Sequence, residues 1–212
     1  IAKYIQQVNE NFEKNDWYTP FYLKDANPVM VVNMGVPHGM TGILLLLLIV
    51  FENGYQTVAP TIVKVCDFLL ENRFTKRERY FFPSVMKRDG EKIDSGIAWC
   101  YGDLMASYAI LKAGILLKHS YYKEEGYQML LQLNERTDYV KNDLCLCHGH
   151  SSLILIYKSI YELTCDKSFR QRHLFWQEKT KMLLEAKIRE YRQGINSDLF
   201  LENLSLFTGF PG

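Results

Sequence analysis

Two kinds of apolar pattern alternate along the chain. In the first, hydrophobic residues run almost without a break: Gly42-Ile43-Leu44-Leu45-Leu46-Leu47, then Leu104-Met105-Ala106-Ser107-Tyr108-Ala109-Ile110-Leu111, then Leu153 to Ile160. A segment apolar nearly all round predicts a buried helix. In the second kind, apolar residues recur at helical spacing. Thr57 to Asn72 places Val58, Ile62, Val65, Leu69 and Leu70 on one side, and Pro60 is tolerable in a first turn. Tyr121 to Asn134 repeats the pattern, weakened by Gly126. Ser168 to Gln193 is the longest such stretch, with Phe169, Trp176, Leu183 and Leu184 inward, Lys and Arg outward, and Gly194 suited to its end.

A glycine dipeptide opens each buried segment: His38-Gly39, Tyr101-Gly102 and His148-Gly149. A fourth, Thr208-Gly209, stands just before the last residue given, Gly212. The period is therefore outer amphipathic helix, loop, glycine turn, inner buried helix. Inner helices in a ring with outer helices around them make an all-α fold, an α/α toroid. Its glycine turns gather at one end, where residues distant in sequence meet and sites form. The expectation is a single α/α-toroid domain over 1–212. It is an incomplete toroid, cut on its N-terminal side (Ile1 is not a natural initiator) and short of a last inner helix at its C-terminal end. Tyr80 to Ile97 breaks the helical pattern. Tyr80-Phe81-Phe82-Pro83 and the turn at Arg88-Asp89-Gly90 predict an irregular excursion or short hairpin, either a substrate wall or a covering loop with buried aromatics.

Composition narrows the class of protein. With 212 residues, 48% apolar and 23% charged, the chain suits one soluble globular domain. A net charge of +1 without a basic block argues against nucleic acid. The longest apolar run, Ile43 to Phe51, falls short of the roughly 20 residues that span a bilayer, so no transmembrane segment is expected. No secretory signal is visible at the start. The five cysteines are an odd count, which argues against a disulfide framework and for a reducing, cytoplasmic setting. Cys66 and Cys165 read as small buried hydrophobes. Cys145, two residues from Cys147, is less clear, with burial favoured over contact with a metal.

Cys147 and His148 put a thiol and an imidazole in one short turn. Cys100, in Ala98-Trp99-Cys100-Tyr101-Gly102-Asp103, stands at the matching place of another repeat. Two thiolates and an imidazole are three zinc ligands, with a tetrahedral corner left open. The other reading is two buried thiols and a histidine hydrogen-bonded at a turn. His38 has the phase of His148 without a neighbouring thiol. It suits acid-base work near neutral pH, or the capping of a turn. Tyr101 can hold or protonate a reacting group, or fill space. His150 stands where it can support a ligand from behind. Asp103 is accounted for by the dipole of the helix it opens.

The set His38-Gly39, Trp99-Cys100-Tyr101-Gly102 and Cys147-His148-Gly149, each opening an apolar helix, resembles the lanthionine synthetase C-like (LanC-like) proteins, the lantibiotic cyclases. The match runs from about Pro37 to Gly212. The resemblance implies an α/α toroid and a zinc bound by Cys100, Cys147 and His148. It implies a dehydrated precursor peptide as partner, whose cysteine thiolate adds to the β-carbon of dehydroalanine or dehydrobutyrine and closes a thioether ring. A dehydratase domain or protein would make that peptide. His38 matches the family's acid-base histidine, and Tyr101 a tyrosine near the metal, so both are expected to be catalytic in the full-length parent. The family often has arginine where this chain has Gly96, and its upstream aspartate would precede residue 1. The alternative implied is a zinc protein that binds small thiols such as glutathione without cyclase activity.

Overall fold

The computed structural model describes residues 1–14, 16–21, 27–74, 81–137 and 143–194. The fourth glycine turn, Thr208-Gly209, lies outside them, as does Tyr80. The chain divides into two compact units, Ile1–Gly96 with Tyr101–Leu130, and Ile97–Cys100 with Leu131–Gly212.

The first unit contains α1 (Ala2–Lys14), α2 (Met40–Glu52), α3 (Ala59–Glu71), α4 (Asp103–Leu116) and most of α5 (Ser120–Asn134). It also contains the strands β1 (Tyr18–Phe21), β2 (Val29–Asn33), β3 (Val85–Lys87) and β4 (Lys92–Ile93). The two predicted inner helices here are α2 and α4. Leu44, Leu47 and Leu48 of α2 and Leu104, Ala109 and Ile110 of α4 are all fully buried. The outer α3 is amphipathic as its spacing predicts. Ile62, Val65, Cys66 and Leu69 are buried, Lys64 and Asp67 face solvent, and Pro60 sits in the first turn. Apolar area removed from water along these faces stabilises the unit at roughly 25 cal/mol per Å².

Gly126 weakens α5 as a helix but serves its packing. A Cβ there would come within 2.7 Å of Leu111 Cα, and one on Gly114 within 2.6 Å of Lys123 Cα. The backbones of α4 and α5 approach so closely that no side chain fits between them at these two points.

The four strands form an antiparallel sheet in the order β1-β2-β3-β4. Tyr18 pairs with Val32, Val32 with Met86, and Val85 with Ile93. β3 and β4 realise the hairpin expected within Tyr80–Ile97, with Gly90 at φ 90° in its turn. Phe81 and Phe82, just before it, are buried. β1 and β2 were not anticipated from periodicity. Val29-Met30-Val31-Val32 is a valine-rich run suited to a strand with a buried face, and Pro20 is tolerated because β1 is an edge. Asp103 does more than favour a helix dipole. It is fully buried, and its carboxylate accepts hydrogen bonds from Phe81 N (3.1 Å) and Phe82 N (2.8 Å), tying the start of α4 to the segment that leads into β3.

The second unit contains the end of α5, α6 (His150–Thr164) and α7 (Lys167–Arg192). The predicted inner helix is α6, with Leu153, Tyr157 and Ile160 fully buried. The Tyr157 hydroxyl donates to Leu133 O at 3.1 Å. Asp166 caps α7, its side chain accepting from Ser168 N at 2.8 Å. α7 packs along α6 and buries Phe169 and Trp176. Leu183 is half-buried, but Leu184, expected inward, is exposed. The stripe of Phe169, Trp176 and Leu183 repeats every two turns, which leaves Leu184 about 100° round the helix. α7 has 26 residues against 15 in α6, so it also outruns its partner. Cys165, expected buried, is exposed. It adopts the left-handed conformation (φ 58°) that ends α6, beyond the face that the helix buries.

Candidate metal centre

The turn before α6 is built on Asp143. Its Oδ1 accepts from Cys145 N at 3.0 Å, and its main-chain oxygen accepts from His150 N at 2.9 Å. Gly149 N donates to Cys145 O at 3.2 Å. A Cβ on Gly149 would come within 2.5 Å of Asp143 O and 2.7 Å of Cys145 N. Glycine stands here to make room rather than for its dihedral freedom, since its φ is −96°. The turn before α2 is the same device. Asn33 Oδ1 accepts from Gly35 N at 2.9 Å, and a Cβ on Gly39 would meet that same oxygen at 2.5 Å. In the middle turn Gly96 takes this place, and Asp103 N donates to Gly96 O at 2.9 Å.

Within the second unit, Cys100 N donates to Cys147 O at 3.0 Å, which brings two segments of chain side by side. The ligand atoms of Cys100, Cys147 and His148 all lie within 4.8 Å of one another. Cys100 is buried, whereas Cys147 and His148 keep some exposure. The donor set of two thiols and an imidazole, two of the three residues partly exposed, suits a zinc ion that holds three protein ligands and keeps a fourth position for substrate. A second group among the described residues, Asp143, Cys145 and His148, shares the histidine. Cys145 is fully buried, its sulfur accepts from His148 N at 3.4 Å, and burial together with the Asp143 carboxylate pushes its thiol pKa up. That environment favours the neutral thiol, and Cys145 reads as part of the turn. His148 Nε2 lies 3.3 Å from Asp143 Oδ2.

The other candidate residues are His38, Tyr101 and His150. His38 is exposed and lines a cavity of about 210 Å³ in the first unit with Asp16, Trp17 and Asn33. The Tyr101 hydroxyl, in the same unit, accepts from Asn33 Nδ2 at 2.9 Å. His150 joins the Asp143 turn through its backbone N–H. Its ring packs edge-on against Trp176, with centroids 5.2 Å apart, and burial lowers its pKa. Asn33 and Asp143 were not singled out from the sequence. Their signal was there: Asn33-Met34-Gly35-Val36-Pro37-His38-Gly39 and Asp143-Leu144-Cys145-Leu146-Cys147-His148-Gly149 align position by position, each opening on a side chain that bonds the backbone two residues on.

Alternating inner and outer helices, with a two-cysteine, one-histidine cluster delivered by their turns, define an α/α repeat protein with a candidate soft-metal site. The lanthionine synthetase C-like protein family matches residues 2–212, and the chain belongs to that family. The nisin biosynthesis protein NisC of Lactococcus lactis subsp. lactis is 23% identical over 213 residues, covering 91% of this chain and 50% of that protein. A solved structure of nisin cyclase superposes with a TM-score of 0.63 at 23% identity, covering 74% of this chain and 41% of that one. The chain thus spans about half the length of the curated relative it matches. The structural likeness shows the fold, a mostly helical portion of an α/α toroid as the repeat predicts. No helix among the described residues is long and apolar enough to cross a membrane.

Proposed function

We propose that this chain is the zinc-bearing part of a lanthionine cyclase. Such an enzyme adds peptide cysteine thiolates to dehydroalanine or dehydrobutyrine and closes thioether rings. The observation that carries this reading is the convergence of Cys100, Cys147 and His148, with ligand atoms within 4.8 Å, in a member of the lanthionine synthetase C-like family. Zinc held there would lower the pKa of an incoming thiol, so that it attacks as thiolate near neutral pH. Cys100, Cys147 and His148 are the residues that would hold it. Addition to the β-carbon leaves an enolate that needs a proton at the α-carbon. His38, exposed at its turn, is the candidate acid-base residue. Tyr101 accepts from Asn33 Nδ2, which leaves its own hydroxyl proton available to a reacting group. The partner is a dehydrated precursor peptide, made by a dehydratase domain or protein. The described cysteines are all free thiols, which fits a reducing, cytoplasmic setting.

The test uses the full-length parent and a dehydrated peptide. Ring closure leaves the peptide mass unchanged but removes a thiol that alkylation would label. Peptide that gains no alkyl label after incubation supports the reading, provided the label returns with the Cys147→Ala variant. One observation favours a second reading, a zinc protein that binds small thiols such as glutathione. Gly96 offers no side chain at the place where the family often has arginine. A parent that binds glutathione and leaves every dehydrated peptide fully alkylatable would establish that reading in place of the first.

A further inference from the structure

We propose that Asp143 is a positioning residue for the metal ligand His148, holding its ring by a carboxylate–imidazole hydrogen bond. This rests on the zinc reading of the Cys100, Cys147 and His148 cluster.

The two oxygens of Asp143 have separate jobs. Oδ1 accepts from Cys145 N at 3.0 Å and shapes the turn. Oδ2 lies 3.3 Å from His148 Nε2. A metal-bound imidazole offers one nitrogen to the ion and donates from the other, and a carboxylate on that second nitrogen sets the tautomer, fixes the ring plane and raises ligand basicity. With Nε2 turned to Asp143, Nδ1 is the nitrogen left for the ion.

The first turn of the repeat is a control supplied by the chain itself. Asn33 holds the same place before Gly39 that Asp143 holds before Gly149, and its Oδ1 makes the same bond to the N–H two residues on. Its other atom is an amide nitrogen, which donates to Tyr101. The turn therefore needs only the Oδ1 acceptor, which asparagine and aspartate both supply. The second oxygen is present only in the turn that carries the Cys-His pair. Substituting asparagine for Asp143 keeps the acceptor that the fold uses and replaces the oxygen that faces the imidazole.

The experiment measures zinc affinity by competition with a chromophoric chelator, on the full-length protein and its Asp143→Asn, Asp143→Ala and Cys147→Ala variants, alongside the melting of each metal-free form. Asp143→Asn should melt with the metal-free wild type and bind zinc about 10- to 100-fold more weakly. Asp143→Ala should also melt lower, because the Cys145 N–H loses its acceptor. Wild-type affinity in Asp143→Asn overturns the proposal. So does total loss of zinc, as in Cys147→Ala, because Asp143 would then be a ligand. A readout on the wild type stands apart from any folding defect. Long-range ¹H–¹⁵N spectra of the zinc-loaded protein should show His148 protonated at Nε2 and metal-bound at Nδ1, and the reverse assignment rules the arrangement out. A wild type that takes up no zinc defeats the underlying zinc reading, whereas tight wild-type binding with an indifferent Asp143→Asn defeats this proposal alone.

Discussion

Gly149 shows how far a single side chain's absence reaches. Its missing Cβ leaves the space in which Asp143 O and Cys145 N sit, and those atoms set the path of the chain through Cys147 and His148. Gly149→Ala forces the turn open. It should cost about 1–3 kcal/mol in stability, the usual range for overpacking a tight site, and should lower zinc content with it. Paired denaturant titration and metal analysis would expose a harmless substitution. Cys147→Ala removes one thiolate of the candidate centre. The expected outcome is a fall from one equivalent of zinc per chain to none by elemental analysis, and retention of the ion in that variant would show the centre to be misassigned. His38→Ala should keep zinc bound while slowing ring closure at least about tenfold, as loss of an acid-base group does. Loss of the metal in that variant would place His38 in the wrong role. At this scale the sequence was informative for residue types with scarce chemistry. Cys100, Cys147 and His148 stood out because thiols and imidazoles at matched repeat positions are uncommon. Asn33 and Asp143 did not, because an asparagine or aspartate at a turn is ordinary, and only the bonds it makes distinguish it.

Among the elements, the helices follow the period of their apolar residues closely. α3, α5 and α7 begin and end within a few residues of the stretches read as amphipathic, and α2, α4 and α6 start at their glycine turns. The small sheet was half legible. The β3–β4 hairpin announced itself through Arg88-Asp89-Gly90, whereas β1 and β2 are too short for a period to emerge. Asp103 joins the two kinds of element, since its carboxylate satisfies the backbone N–H groups of Phe81 and Phe82 from the first turn of α4. Asp103→Ala leaves two buried donors without that acceptor. The expected loss is on the order of 3 kcal/mol, read from the urea midpoint, with helix content by circular dichroism little changed in the folded state. A shift too small to measure would mean that water replaces the carboxylate.

For the molecule as a whole, the candidate metal links chain segments far apart in sequence. The second unit takes Ile97–Cys100 from the middle of the chain and the rest from Leu131 onward, and one hydrogen bond between Cys100 N and Cys147 O joins the cysteine-bearing parts. A bound ion would add a second, stronger tie. Zinc at a hundredfold excess over its dissociation constant stabilises by about 2.7 kcal/mol. Removing it with a chelator should therefore lower the melting temperature by several degrees, and more zinc should restore it. Because cysteine binds as thiolate, the same stabilisation should fade as pH falls and protons compete for the sulfurs. A melting curve indifferent to chelator would argue that nothing is held there.

By itself, the sequence determined the alternation of inner and outer helices, the glycine turns and the identity of the scarce donors. Each of these is a local matter of periodicity, steric room or residue chemistry. Tertiary structure decided which groups meet: that Cys145 turns inward while Cys147 faces Cys100, that Asp143 backs His148, and that Gly126 serves a close helix approach. Contacts between residues distant along a chain depend on how faces of several elements dock together, and a one-dimensional pattern contains each face but not the docking.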